Sequence, residues 1–282
     1  MGANTFRRLK SPRNLHNRRG KKPMFEEYAG DWVNARAQTT GYESENIAET
    51  VRLATRNVRD GKSAYERDGV NFNEIEYSWP LLSGLLLAAA ESNGSLRVVD
   101  VGGSLGSTYF QNRKYLNKLA HVTWSVVEQP RFAEIGSREF SSEELKFYDN
   151  FNSASSATNP TVILFGSSLQ YFEAPGKMLL SASKSPAQHL ILDRTPIQAG
   201  TGDLIVLQSV PSSIYQATYP AWLFSRDFLN VTLGQEWKLL EEFPALGGTK
   251  ITDKGTQFSW RGAHFVRGQA HNSLREAGVR PG

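Results

Sequence analysis

Between residues 96 and 192 short apolar runs alternate with stretches of helical pattern, and this alternation constrains the fold more than any other feature of the chain. Residues 96–101, 122–128, 145–148, 161–166 and 189–192 each read as a strand, and residues 107–120, 131–140 and 176–185 read as helices between them. Brief apolar strands separated by helices predict a parallel sheet covered on both faces. Further on, "WKLLEEF" (237–243) and "QFSWRGAHFVRG" (257–268) read as two more strands. The 244–256 segment between them is too short for a helical crossover with its loops, so this pair is expected to be antiparallel. The predicted class is α/β: a Rossmann-like, seven-stranded, mostly parallel sheet closing on a C-terminal antiparallel strand pair.

Two additions surround that sheet. Residues 24–94 read as a mostly helical N-terminal extension. In it, "ENIAETVRLATRNV" sets Ile47, Val51, Ala54 and Val58 on one helical stripe, residues 65–80 are irregular, and a second helix covers 81–91. Residues 203–225 contain two β-like runs around Pro211, Ser212 and Ser213, as expected of an inserted hairpin. The sheet domain is thus placed at 95–268, with a flexible polar tail from 269 to 282. The longest apolar run, "LLSGLLLAAA", is too short to cross a bilayer, and the N-terminus carries no signal-peptide pattern. The absence of cysteine excludes disulfides and thiolate chemistry. A cytoplasmic location is the expectation, while the oligomeric state is left open.

The formal charge of +4 is unevenly distributed. Residues 1–23 carry eight Lys or Arg and no acid, and subtracting them leaves the rest at −4. That block reads as a disordered, solvated leader; an arm for anionic lipid, nucleic acid or glycan phosphate is the alternative. With Phe6 as its only aromatic it lacks the interleaving that base stacking needs, and nucleic acid is disfavoured as a partner.

The first strand of the alternation runs into "LRVVDVGGSLGS", where an acid is followed by Gly102, Gly103 and Gly106. Open parallel sheets bind ligands beyond the carboxyl ends of their strands, and glycines there permit a bare, tightly turned backbone. Glycines in this position also serve strand-to-helix packing alone, and the motif by itself does not decide. Two acids do. Glu128 ends the second strand, where a carboxylate can accept both ribose hydroxyls, and Asp100 precedes the glycines. A pyrophosphate gains nothing from Asp100, whereas a sulfonium with an ammonium group does. The pair therefore favours S-adenosylmethionine over a nicotinamide dinucleotide.

In its order of parts the sequence resembles the class I S-adenosylmethionine-dependent methyltransferases. More narrowly it resembles a bacterial family of methyltransferases often encoded among surface-polysaccharide genes, through "GYESENI", "YERDGV", "DVGGSLGSTYFQNR", "VVEQP", "SSLQY", "LDRTPI" and "YPAWLFS". The resemblance implies that Gly102, Gly103 and Gly106 lie beside the methionine moiety, with Asp100 supporting the loop and Glu128 on the ribose. It places Asp149 near the adenine, although "FYDNFNS" departs from the usual pattern, and Ser167 and Ser168 near the methyl end of the cofactor. The implied activity is methyl transfer to a small-molecule or glycan acceptor.

Methyl transfer is an in-line displacement on an activated carbon, so alignment supplies much of the catalysis, and an alcohol acceptor still gains from a base. Asp193, at the end of the fifth strand, is the candidate base, with Tyr171 offering a hydroxyl beside the methyl. Asp193 pairing structurally with Arg194 is the competing reading; Arg194 is alternatively a hold for an anionic acceptor. Tyr215, Tyr219 and Trp222 form a candidate aromatic wall for a sugar face, or else cover a core. "YERDG" folds over the cofactor or is an ordinary turn. The five histidines read as structural or solvent-facing. No residue cluster has metal-ligand spacing, and none is expected. A cofactor-binding module without turnover and an RNA methyltransferase using the basic tail are the alternative functions.

Overall fold

The computed structural model describes residues 23–41, 45–211, 214 and 216–268. The basic segment through residue 22, the tail from 269 and the candidate Tyr215 lie outside them. The N-terminal part comprises β1 (Phe25–Tyr28), α1 (Trp32–Ala37), α2 (Glu45–Arg59), β2 (Tyr65–Arg67), β3 (Val70–Phe72) and α3 (Trp79–Glu91). The alternating part follows as β4 (Ser95–Val101), α4 (Ser107–Leu116), β5 (His121–Val127), α5 (Pro130–Glu139), β6 (Leu145–Tyr148), α6 (Phe151–Thr158), β7 (Val162–Gly166), α7 (Pro175–Ser183) and β8 (His189–Gln198). The chain closes with β9 (Leu204–Ser209), β10 (Thr218–Leu223), α8 (Phe228–Leu233), β11 (Trp237–Ile251) and β12 (Gln257–Arg267).

The main sheet has seven strands in the order β6-β5-β4-β7-β8-β12-β11. Five are parallel, and β12 runs antiparallel to both β8 and β11. Successive residues alternate between the two faces. Val98, Trp124, Val126, Val162 and Leu164 pack under α3, α4 and α5, whereas Val99, Val101, Val127, Ile163 and Phe165 pack on α6, α7 and α8. This period-two division of an all-apolar strand makes a three-layer sandwich. From β4 the chain steps outward to β5 and β6, then returns to β7 on the other side. The resulting crevice between the carboxyl ends of β4 and β7 is where the glycine loop lies.

Several expectations are corrected. The segment from Phe25, read as helical, opens with a strand: β1 pairs antiparallel with β9, turning the expected hairpin into a three-stranded sheet, β1-β9-β10. Phe25 is held there edge-to-face on Phe258, with ring centroids 5.0 Å apart. The region 65–80, read as irregular, contains the β2–β3 hairpin. Its Asp68-Gly69 turn has both φ values positive (53° and 78°), the geometry a two-residue hairpin turn favours. Strand β11 continues to Ile251, accommodated by register shifts, one of them around Gly247 and Gly248. Finally, β8 does not stop at Leu192; it runs to Gln198 and carries Asp193 and Arg194 within it.

Candidate functional site

At the carboxyl edge, four consecutive strands of the sheet each deliver polar groups. The tip of β4 passes into the glycine loop, where Gly102 (φ 72°) and Gly106 (φ 90°) adopt left-handed backbone. The loop is tightly packed rather than bare. A methyl on Gly102 would collide with Ser168, and one on Gly103 would lie 2.5 Å from Asp100 Cγ. Asp100 is fully buried beneath the loop. One carboxylate oxygen accepts from the Trp124 indole at 3.1 Å, while the other, Oδ1, is buried with no partner. Burial and the charge of Glu128 push its pKa up to about 7 against the Trp124 hydrogen bond.

Glu128 follows β5 and closes on the loop from the side: Oε1 accepts from Ser104 N at 3.1 Å and Oε2 from Gln129 N at 2.9 Å. Burial raises its pKa as well. Asp100 and Glu128 thus flank the same loop, Asp100 from below. Asp100 is correspondingly a support for the loop more than a wall of an open socket.

The tip of β7 supplies Ser167 and Ser168. The Ser168 hydroxyl donates to the Val101 carbonyl, so it ties the two strand ends together and is not free for a ligand. Ser167 has φ 66°, and its amide donates to Asp193 O at 2.8 Å. Gln170 anchors its amide nitrogen on Ser167 O (2.9 Å) and leaves Oε1 buried without a partner. Tyr171 donates to Gln208 at 3.1 Å and meets the Tyr219 ring edge-on at 5.2 Å.

On β8, Asp193 and Arg194 form a β-bulge. Leu192 pairs with Ala263 and Thr195 with Arg261, so two residues face Gly262 alone. Arg194 takes φ 52°. A bulge breaks the strict in-and-out alternation and re-aims side chains, and bulges concentrate beside sites. Asp193 is buried; its Oδ1 accepts from the Ser78 hydroxyl at 3.3 Å, and its Oδ2 lies 3.6 Å from Arg194 Nε. That separation exceeds the ~2.7–2.9 Å of a charge-assisted hydrogen bond. The competing reading of a closed structural pair is therefore realised only loosely. Burial raises the Asp193 pKa against the pull of Arg194.

The β2–β3 hairpin that carries "YERDG" docks on the start of α4, directly after the glycine loop. Glu66, a residue not picked out in the sequence, is buried with its carboxylate accepting from the Ser107 hydroxyl at the start of α4 and, at 3.3 Å, from Gly69 N. Burial pushes it up to about 7. The only sequence signal was a turn dipeptide between β-favouring residues, with no sign of where the hairpin docks.

Six non-glycine residues have positive φ among the described residues: Asp68, Asn93, Ser104, Asn159, Ser167 and Arg194. The asparagines follow helices, where this conformation is common. The other four sit at the hairpin turn, the glycine loop, the tip of β7 and the bulge within β8. Strain of this kind, about 1–3 kcal/mol each, persists where surrounding structure imposes it, typically at functional sites.

The remaining candidates are placed elsewhere or differently. Asp149 follows β6, exposed, and accepts from Asn150 at 2.9 Å. Trp222 takes the core-covering alternative: it stacks on Trp32 at 5.6 Å and donates to the Phe172 carbonyl at 3.1 Å. His189 and His264 lie at the opposite edge, in contact at 3.0 Å, with Glu91 at 3.0 Å from His189. Among the described residues no group of three or more His, Asp or Glu is set to hold a metal, and no helix is long and apolar enough to cross a membrane.

No family model matches the chain, and no curated protein matches it in sequence. Solved structures resemble it distantly. The N-terminal domain of EvdMO1, solved in the presence of SAH and D-fucose, is 13% identical over 77% of this chain and 97% of its own, with a TM-score of 0.45. Magnesium protoporphyrin IX methyltransferase from Synechocystis PCC 6803 with bound SAH is 12% identical over 85% of this chain and all of its own, with a TM-score of 0.45. A SAM-bound amino pentose methyltransferase from Micromonospora echinaspora is 10% identical over 68% of this chain and 92% of its own, with a TM-score of 0.43. Likenesses this distant carry no statement about substrate or residues.

Proposed function

We propose that the chain is an S-adenosylmethionine-dependent methyltransferase that O-methylates a sugar or surface-glycan precursor. The observation that carries the reading is the excess of buried carboxyl over cation at the glycine loop. Glu66, Asp100, Glu128 and Asp193 converge on the switch point of the sheet, with the Arg194 guanidinium the cation whose field reaches Glu66, Asp100 and Asp193. Asp100 keeps one oxygen unpaired. Such a site favours a ligand bearing positive charge and repels a pyrophosphate.

The residues fit that cofactor. Glu128, already on the loop amide, has lone pairs left for ribose hydroxyls, and Asp149 stands at the next strand tip for the adenine. Gly102, Gly103 and Gly106 shape the turn beside the methionine moiety, with Ser168 and Asp100 bracing it. When bound, the cofactor would supply a methyl on a sulfonium, whose transfer to an acceptor oxygen would release S-adenosylhomocysteine (SAH). Asp193 is placed to take the proton of that acceptor hydroxyl at a carboxylate oxygen, its raised pKa narrowing the gap to the alcohol. Tyr171, Ser167 and the unpaired Gln170 oxygen orient the acceptor at the β7 tip, and Tyr219, against Tyr171, offers an aromatic face to a sugar ring. The hairpin carrying Glu66 excludes water above the loop.

Incubation with methyl-labelled donor and a panel of nucleotide sugars and glycan fragments tests the reading. Label is expected on a sugar hydroxyl, with Asp193→Asn lowering kcat about 10²–10⁴-fold, the usual contribution of a general base. Tight SAH binding with no transfer to any acceptor would instead leave a cofactor-binding module without turnover.

A further inference from the structure

We infer that the acceptor is anionic and that Arg194 grips its carboxylate or phosphate; this rests on the methyltransferase reading above and specifies its substrate class. Arg194 is costly for the fold to place. It occupies left-handed backbone at φ 52°, in a bulge where it and Asp193 share the single partner Gly262. Its side chain is only 18% exposed, and its Nε is buried with no hydrogen-bond partner. Its ion pair with Asp193 is long, at 3.6 Å, and is not closed by a hydrogen bond from Nε.

A guanidinium held this way has lost most of its water and gained no bidentate partner, a combination that stabilises an incoming oxyanion. The turn after β7 adjoins the bulge: its Ser167 amide donates to the Asp193 carbonyl at 2.8 Å, and it carries the exposed Tyr171, whose hydroxyl donates to Gln208 at 3.1 Å. Asp193 lies on the same bulge, so an acceptor anchored by its anion presents a neighbouring hydroxyl to the candidate base. Glucuronate-like and sugar-phosphate acceptors share this chemistry.

Calorimetry with glucose 1-phosphate, glucuronate and uncharged glucose, each with and without SAH, tests the inference. Both anions are expected to bind at least tenfold more tightly than glucose, and less tightly as salt rises. Arg194→Gln should remove that preference and Arg194→Lys retain part of it, with SAH affinity within twofold of wild type as the control for folding. Equal binding of glucose and the anions, or anion binding unchanged in Arg194→Gln, would overturn the inference. So would a tenfold loss of SAH affinity in Arg194→Gln with 5′-methylthioadenosine unaffected, because the guanidinium would then hold the carboxylate of the cofactor itself. Wild-type protein that binds the anions but not SAH would instead refute the methyltransferase reading and leave the anion site standing.

Discussion

Asp100 shows how one side chain couples stability to ligand charge. Its carboxyl is wholly buried, half satisfied, and displaced from 3.8 to about 7 by burial. Glu66 is displaced from 4.5 to about 7 for the same reason. Between about pH 4 and 7 the folded chain therefore holds protons that the unfolded chain has released, and these two groups make stability fall as pH rises through that window. A bound cation favours the ionised forms, so affinity for S-adenosylmethionine, which carries a sulfonium as well as an ammonium, should rise between pH 6 and 8. Asp100→Asn should raise apo stability at pH 8 by on the order of 1–3 kcal/mol, by removing a buried carboxyl that ionises at that pH, and flatten the pH dependence of S-adenosylmethionine binding. Denaturant melts and calorimetry at pH 6 and 8 check both, and identical slopes in the two proteins would contradict the assignment. Gly102→Ala combines a left-handed φ with a collision against Ser168. It should cost about 2–4 kcal/mol in the melt and abolish SAH binding. Asp100 and Glu128 were legible because a strand end can be recognised in sequence. Glu66 was not, since its role depends on where a hairpin 41 residues before Ser107 in sequence comes to rest.

Among the elements, β4, β5 and β7 were readable from apolar runs bounded by turns, because burial on both faces leaves little else a run of that length can be. The errors fall where tertiary pairing overrides local pattern. β1 has only four residues, "FEEY", and becomes a strand because β9 offers it an open edge. The continuation of β8 beyond Leu192 was hidden by the polar Asp193 and Arg194, whose bulge is enforced by pairing with β12. The β1 contact also reaches the turn after β11, where Asp253 N donates to Phe25 O at 3.0 Å and Asp253 accepts from Glu27 N at 2.8 Å. Phe25→Ala should therefore cost about 3–5 kcal/mol, with the denaturant slope unchanged, by equilibrium unfolding. A loss below 1 kcal/mol would mean that β1 is an accessory to the small sheet and not part of its structure.

At the scale of the molecule, one topological fact organises the rest. The order β6-β5-β4-β7-β8-β12-β11 puts a crevice where the chain reverses, and acids from β4, the end of β5, the bulge in β8 and the β2–β3 hairpin meet there around a strained glycine loop. The central claim is that this crevice receives a positively charged adenosyl compound. Titration calorimetry with S-adenosylmethionine, alongside NAD and with Glu128→Ala as the comparison, addresses it most directly. The account predicts micromolar binding of S-adenosylmethionine, none by NAD, and a loss of at least tenfold in Glu128→Ala. No heat from S-adenosylmethionine at millimolar concentration, or the same affinity in the variant, would contradict it.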